Sequence, residues 1–241
     1  MDLIADGVGW LANPVNWQGR DGIPTRLIEH VQLSGVSLLL AIVIALPVGL
    51  FIGHTGRGAN LAINLANLGR ALPTLAVMAI AGSLTVLIDP QLGFKLYSTL
   101  IGMIVLAVPP ILVNSYAGVS GVDRELVEAA RGMGMRERQI LARMEIPIAL
   151  PVIVGGIRSG AVQIVATATL GAIFGGGGLG RYLIDGISQG AAAPGKIFGG
   201  VVLVAALALA TEAVFALAQR ALVSPGLVAP APGGSSRLQP G

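Results

Sequence analysis

The sequence predicts an all-helical, polytopic membrane protein with about five core spans, and three observations carry that expectation. Hydrophobic residues fill 54% of the 241 positions and charged residues only 11%, with a mean hydropathy of +0.81. A soluble domain carries about 25% charged residues, so the charge needed to coat a water-facing surface is missing. Second, the apolar residues gather into runs of about 20, enough to cross the hydrocarbon of a bilayer, between short breaks rich in charge, Gly and Pro. Third, 35 Gly lie among Leu, Ile, Val and Ala, a composition suited to helices packed closely within a bilayer.

Residues 1–26 mix charges, Gly, Pro, Trp10 and Trp17. They read as an external or interfacial segment, because an indole ring favours the headgroup level. No basic stretch precedes an apolar one there, unlike in a cleaved signal peptide. The first span is expected from Leu27 to about Gly53, kinked by Pro47, with Gly49 and Gly53 forming a small-residue face for a neighbouring helix. Residues 59–70 are mildly amphipathic, and a second span is expected from Ala71 to Ile88. After the Asp89-Pro90-Gln91 turn, a third span runs from about Leu96 to Gly118. The charged block 123–147 is no span; a fourth follows from Ile148 to Phe174. A glycine-rich loop holding Gly176, Gly177, Gly178 and Gly180, then a polar stretch to Lys196, lead to a fifth span over 197–219. Residues 27–222 thus form the transmembrane domain, and the Pro-, Gly- and Ser-rich tail 223–241 is expected to be disordered.

Orientation follows from Lys and Arg in short loops. Nine of them, led by the cluster Arg124, Arg131, Arg136, Arg138 and Arg143, fall on one side and five, including Arg20 and Lys95, on the other. The N-terminus is therefore expected outside, and the charged block and C-terminus in the cytoplasm.

Several chemistries are excluded. The chain has no Cys, so it has no disulfide or thiolate site, and His30 and His54 lie too far apart for a helical zinc pair. No metal, no cofactor and no nucleic acid is expected on this chain; the net charge of +3 is assigned to cytoplasmic loops. Gly190 to Ile197 nearly spells a phosphate-binding loop but lacks the Ser or Thr that holds magnesium, and no strand precedes it. It reads as a flexible loop before the fifth span. Gly175-x-Gly177-x-x-Gly180 fits a dinucleotide fingerprint by letter, yet follows an apolar helix. The chain is therefore expected to be no enzyme, and energy must come from a partner.

Within the charged block, Leu126, Ala129, Ala130 and Met133 recur at spacings of three and four, giving one shallow apolar helix face. Gly134 is expected to stop that helix, and Pro147 to end a second short one. Such a helix, lying along the membrane, offers an apolar ridge with charged flanks to a cytoplasmic partner. The spacing is more specific than the composition: Glu128-Ala129-Ala130, three residues, Gly134, nine residues, then Met144-x-Ile146-Pro147. It resembles the EAA signature of ABC importer permeases, with Met144 and Ile146 as conservative replacements. The resemblance implies the transmembrane domain of a type I ABC transporter in the bacterial cytoplasmic membrane. It makes Glu128, Ala129, Ala130, Gly132, Gly134, Met144, Ile146 and Pro147 the ATPase-coupling residues. Leu72-Pro73-Thr74, Pro109 to Gly118, Arg131 to Met135, Gly155 to Arg158 and Gly176 to Gly180 recur in order. Together they resemble permeases for osmoprotectants: glycine betaine, carnitine, choline and proline. The resemblance covers 27–222 and implies three partners: a cytoplasmic ATPase dimer, a second permease subunit and an external solute-binding protein. A permease for amino acids or methionine, or a passive channel, are the alternatives.

Polar residues inside the spans complete the candidate set. Arg158 reads either as a pathway residue or as a structural arginine that caps carbonyls or pairs with Glu145, since an unpaired charge there costs several kcal/mol. Gln163 and Thr167 share a helix face, and Asn114 sits in the third span. Each reads as pathway or as interhelical packing. Glu212, in the fifth span, is expected to pair with a neighbour or to reach the cytoplasmic interface. A quaternary ammonium is usually held by an aromatic cage, and the spans carry no aromatic cluster, so solute selection is expected on a separate binding protein.

Overall fold

The computed structural model describes residues 3–190 and 193–222; the tail 223–241 lies outside them. All regular structure among the described residues is helical. Helix α1 covers Leu3–Ala12, followed by a tight turn at Pro14–Trp17 and α2, Ile23–Thr55. Pro24 sits in the first turn of α2, where its missing N–H is no loss. The helix runs unbroken through Pro47 and stops at Gly56, whose left-handed φ of 69° only glycine adopts freely.

The second span, expected from Ala71 to Ile88, is not a full-length helix. Residues Ala59–Ala71 form α3 and Thr74–Thr85 form α4, and the two meet at 94°. Pro73 is the cause: it lacks an N–H, and it holds Leu72 extended, at φ −77° and ψ 130°. Helix α4 alone rises about 18 Å, short of the roughly 30 Å of a bilayer core.

Helix α5, Ser98–Ser120, follows a wide turn at Gly93–Tyr97. The charged block then folds as α6, Arg124–Gly132, and α7, Glu137–Ile140. Pro147 does not end a helix. A wide, π-type turn at Leu141–Glu145 joins α7 to α8, Ile146–Thr167, and places Pro147 in the first turn of α8, which tolerates it. A tighter helical stretch, Ala168–Phe174, ends the span. Helix α9, Gly180–Ser188, is a short addition, and α10 is Pro194–Leu222. Pro194 to Ile197, expected to be loop, is thus the first turn of α10, where Lys196 reaches Asp185 at 3.7 Å. Among the described residues, four helical runs are long and apolar enough to cross a membrane, and α3 with α4 supplies a fifth if the bent pair counts as one span.

Helix α5 is the centre. Met103, Ala107 and Ile111 are fully buried between Ala41 and Ala45 of α2, Met78 of α4 and Ile164 of α8. Two glycines set the approach. A methyl group at Gly49 would sit 2.8 Å from the Leu112 carbonyl, and one at Gly156 would sit 2.8 Å from the Pro110 carbonyl. The small-residue face expected on α2 therefore meets α5. Outward, Leu39, Val43, Leu209 and Leu217 are exposed and apolar, a surface suited to lipid. The N-terminal helix lies on α10: Gly199 backs onto Trp10, whose ring meets Tyr182 edge-on at 5.0 Å.

Candidate functional site

The charged block is built as a braced hairpin. Asp123 caps α6 by accepting the Glu125 N–H at 2.9 Å. At the other end Gly134 takes φ 84°, letting the Met135 N–H reach the Ala130 carbonyl at 3.1 Å and the Gly134 N–H reach Arg131 at 2.9 Å. Those two bonds close the carbonyl end of the helix. Arg131 then donates to both oxygens of Glu137, at 2.7 and 3.0 Å, and holds its carboxyl below the usual carboxylate range. Glu137 lies 3.2 Å from His54 Nε2, and His54 Nδ1 lies 2.6 Å from Glu145, which is only 4% exposed. One chain of polar contacts therefore ties α6 to the end of α2 and the start of α8. His54, Glu137 and the pairing role of Arg131 escaped the sequence reading, because their contacts cross from one helix to another.

The apolar ridge is narrower than expected. Leu126 is 51% and Met133 78% exposed, with Ala129 between them, whereas Ala130 is 2% exposed and faces inward. Glu128 lines a cleft of about 320 Å³ with His54, Tyr116, Arg124, Arg131 and Glu145. Gly132 is exposed, and a methyl group there would meet nothing. The second half of the motif lands elsewhere. Met144, Ile146 and Pro147 stand at the junction into α8, one hairpin away from Glu128.

Deeper in the helices, Arg158 of α8 pairs with Glu212 of α10. Pairing with Glu145 is ruled out by geometry: both residues lie on one continuous helical run, about 20 Å apart. Gln219 Oε1 accepts from Arg158 at 3.4 Å, and Gln219 Nε2 donates to the Pro151 carbonyl at 3.2 Å. These groups open onto a groove of about 560 Å³ lined also by Gly155, Ser159, Val162 and Gln163. Of the four candidate pathway residues, the structure brings Arg158 and Gln163 together. Thr167 lies outside the groove lining, and Asn114 faces α8, donating to the Pro110 carbonyl of its own helix at 2.7 Å.

The glycine loop is tied to the start of α2. Glu29 accepts the Gly178 N–H at 2.8 Å, and His30 Nδ1 accepts the Leu179 N–H at 3.3 Å. The other His30 nitrogen bonds the Val165 carbonyl at 2.9 Å. Gly177 lies against the Glu29 carboxylate, and Gly178 takes φ 85°. Gly176 turns back on the Gly171 carbonyl, while Gly180 is the first residue of α9, stacked on the backbone of Thr169. Glu29 and His30 were missed; two ionisable residues at the mouth of an apolar span were the available signal.

Comparison with known proteins places these features in a wider set. Residues 27–228 match the family described as "Binding-protein-dependent transport system inner membrane component". The chain is 34% identical over 202 residues to the choline transport system permease protein OpuBB of Bacillus subtilis, covering 84% of this chain and 89% of that protein. It is 36% identical over 184 residues to the carnitine transport permease protein OpuCB of Listeria monocytogenes, covering 76% and 80%. Among solved structures, a chain of the inward-facing MetNI methionine ABC transporter superposes with a TM-score of 0.73, over 88% of this chain and all of that one. At 23% identity that likeness concerns the fold.

Proposed function

Because this chain belongs to the inner membrane components of binding-protein-dependent transport systems, we propose that it is the permease subunit of an ATP-driven importer of osmoprotectants. The solutes are small quaternary ammonium compounds: choline, carnitine or glycine betaine. The observation that carries this reading is identity of 34% or more, across most of the chain, with permeases named for choline, for carnitine, or for glycine betaine, carnitine and choline together. The methionine alternative has only a likeness of fold behind it.

The architecture supports a division of labour. Helix α6 presents Leu126, Ala129 and Met133 outward, while its Arg131 is held by Glu137, which in turn meets His54. Docked in a groove of a cytoplasmic ATPase, the ridge would carry nucleotide-driven movement into α5 through the Gly121 turn. The His54 bridge would carry the same movement into α2 and α8. Two permease subunits, rocked by two ATPases, then open a shared central pathway to one side at a time. An external binding protein delivers the solute. In this reading the N-terminus is external and the C-terminus cytoplasmic. The ridge is ATPase-coupling, and the glycine loop with its Glu29 and His30 ties sits at the external mouth.

The test is co-purification. Replacing Leu126 and Met133 together by Asp should leave the chain in the membrane, since both side chains are exposed, but should release the ATPase. ATPase retained at wild-type stoichiometry would count against the docking.

A further inference from the structure

Arg158 and Glu212 form an ion pair with both side chains partly exposed, 32% and 39%. At a rise of about 1.5 Å per residue, Arg158 lies about 18 Å from the first residue of α8 and Glu212 about 15 Å from the last of α10. These two ends share one side of the membrane, so the pair sits near mid-depth in a core of roughly 30 Å. Ionisable groups at that depth face a bundle interior or water, not lipid. The groove around them agrees: Ser159, Gln163 and Gln219 add polar atoms, and a methyl group at Gly155 would meet nothing. A helix-interior glycine with no contact to relieve costs about 1 kcal/mol relative to Ala, so Gly155 keeps space free.

The geometry points to a binding site for a zwitterionic solute in this groove, formed by Arg158 and Glu212 and opened when the solute replaces each as the partner of the other. A carboxylate takes paired hydrogen bonds from the Arg158 guanidinium. A quaternary ammonium, which has no hydrogen to donate, sits against the Glu212 carboxylate by charge alone. Every charge stays compensated before, during and after passage, so no net charge enters the membrane. The empty site closes on itself, because Arg158 and Glu212 bond directly once the solute leaves. Glycine betaine and carnitine satisfy both residues; choline, with its single charge, meets only Glu212, leaves Arg158 unpaired and binds this groove less well. Gln219 positions Arg158 from behind and is anchored on the Pro151 carbonyl. This inference rests on the osmoprotectant reading and deepens it from a solute class to two residues.

The chain has no cysteine, so Ser159→Cys places a single thiol in the groove. The complete complex, with ATPase and binding protein, is reconstituted in liposomes and treated with a polar, membrane-impermeant thiol reagent. We expect modification of Ser159→Cys, slowed at least fivefold by glycine betaine and less than twofold by tetramethylammonium or acetate at the same concentration. Val214→Cys, exposed among apolar residues across α10 from Glu212, should stay unmodified. Adding R158Q and E212Q together removes both charges, keeps two hydrogen-bonding amides, and should abolish protection by glycine betaine. Wild-type uptake of glycine betaine or choline with Ser159→Cys inert, unprotected, protected equally by singly charged ions, or still protected in the neutral variant, would overturn this site alone. A wild-type complex that takes up neither solute would overturn the osmoprotectant reading, and the site with it.

Discussion

Gly132 and Gly134 lie two residues apart and are glycine for different reasons. Gly134 holds φ 84° with no atom near the place of a side chain, so its cost on substitution is backbone strain, about 1–2 kcal/mol. Gly134→Ala and Gly134→Leu should therefore lower solute uptake per ATP hydrolysed by similar factors; harm from Leu alone would mean a steric clash with a partner instead. Gly132 is helical and open, so Ala there should stabilise α6 by about 1 kcal/mol. Gly132→Leu, by contrast, should weaken ATPase binding if the space is kept for a docking surface. His54→Ala leaves the buried Glu145 without its hydrogen-bond partner, a loss of about 2 kcal/mol, and should lower the melting temperature of the purified chain. At this scale the glycine stop was legible, because a left-handed residue is written into the sequence as Gly. The partners of Arg158 and Glu145 were not, since helix packing rather than spacing selects them.

Among the elements, hydropathy located the spans well, because apolar length is a local property. Its reach ended at Pro73: the span expected from Ala71 to Ile88 is the shorter α4, and the backbone turns through 94° just before it. The proline rule failed at Pro147, which was expected to end the second short helix and instead stands in the first turn of α8, beyond a wide turn. Glycines on α2 offer a paired test of the packing. Gly49→Leu drives a side chain into the Leu112 carbonyl and Ser115 of α5, and should abolish stable accumulation in the membrane. Gly35→Leu, on the same helix with open space around it, should be tolerated. Equal effects at both positions, read as the amount of folded protein in membranes, would mean that α2 and α5 do not meet as described.

For the whole molecule, the sequence carried the class and the extent of the charged block but not the assembly of the site. Charge density separated membrane from soluble, and the motif from Glu128 to Pro147 marked one candidate segment. That this segment folds into two stations, α6 and the mouth of α8, held together by Arg131, Glu137, His54 and Glu145, appears only once the helices are side by side. The same holds for the groove, whose two charges come from residues far apart in the chain. The central claim is that α6 is a lever on the inner face, moved by a nucleotide-driven partner. Labelling of Met133→Cys, a single thiol in a chain without cysteine, tests it most directly. With an impermeant reagent, intact cells should leave the thiol untouched, and inverted vesicles stripped of the ATPase should label it fully, with protection when the ATPase is restored. Labelling from outside intact cells, or full labelling with the ATPase bound, would contradict it.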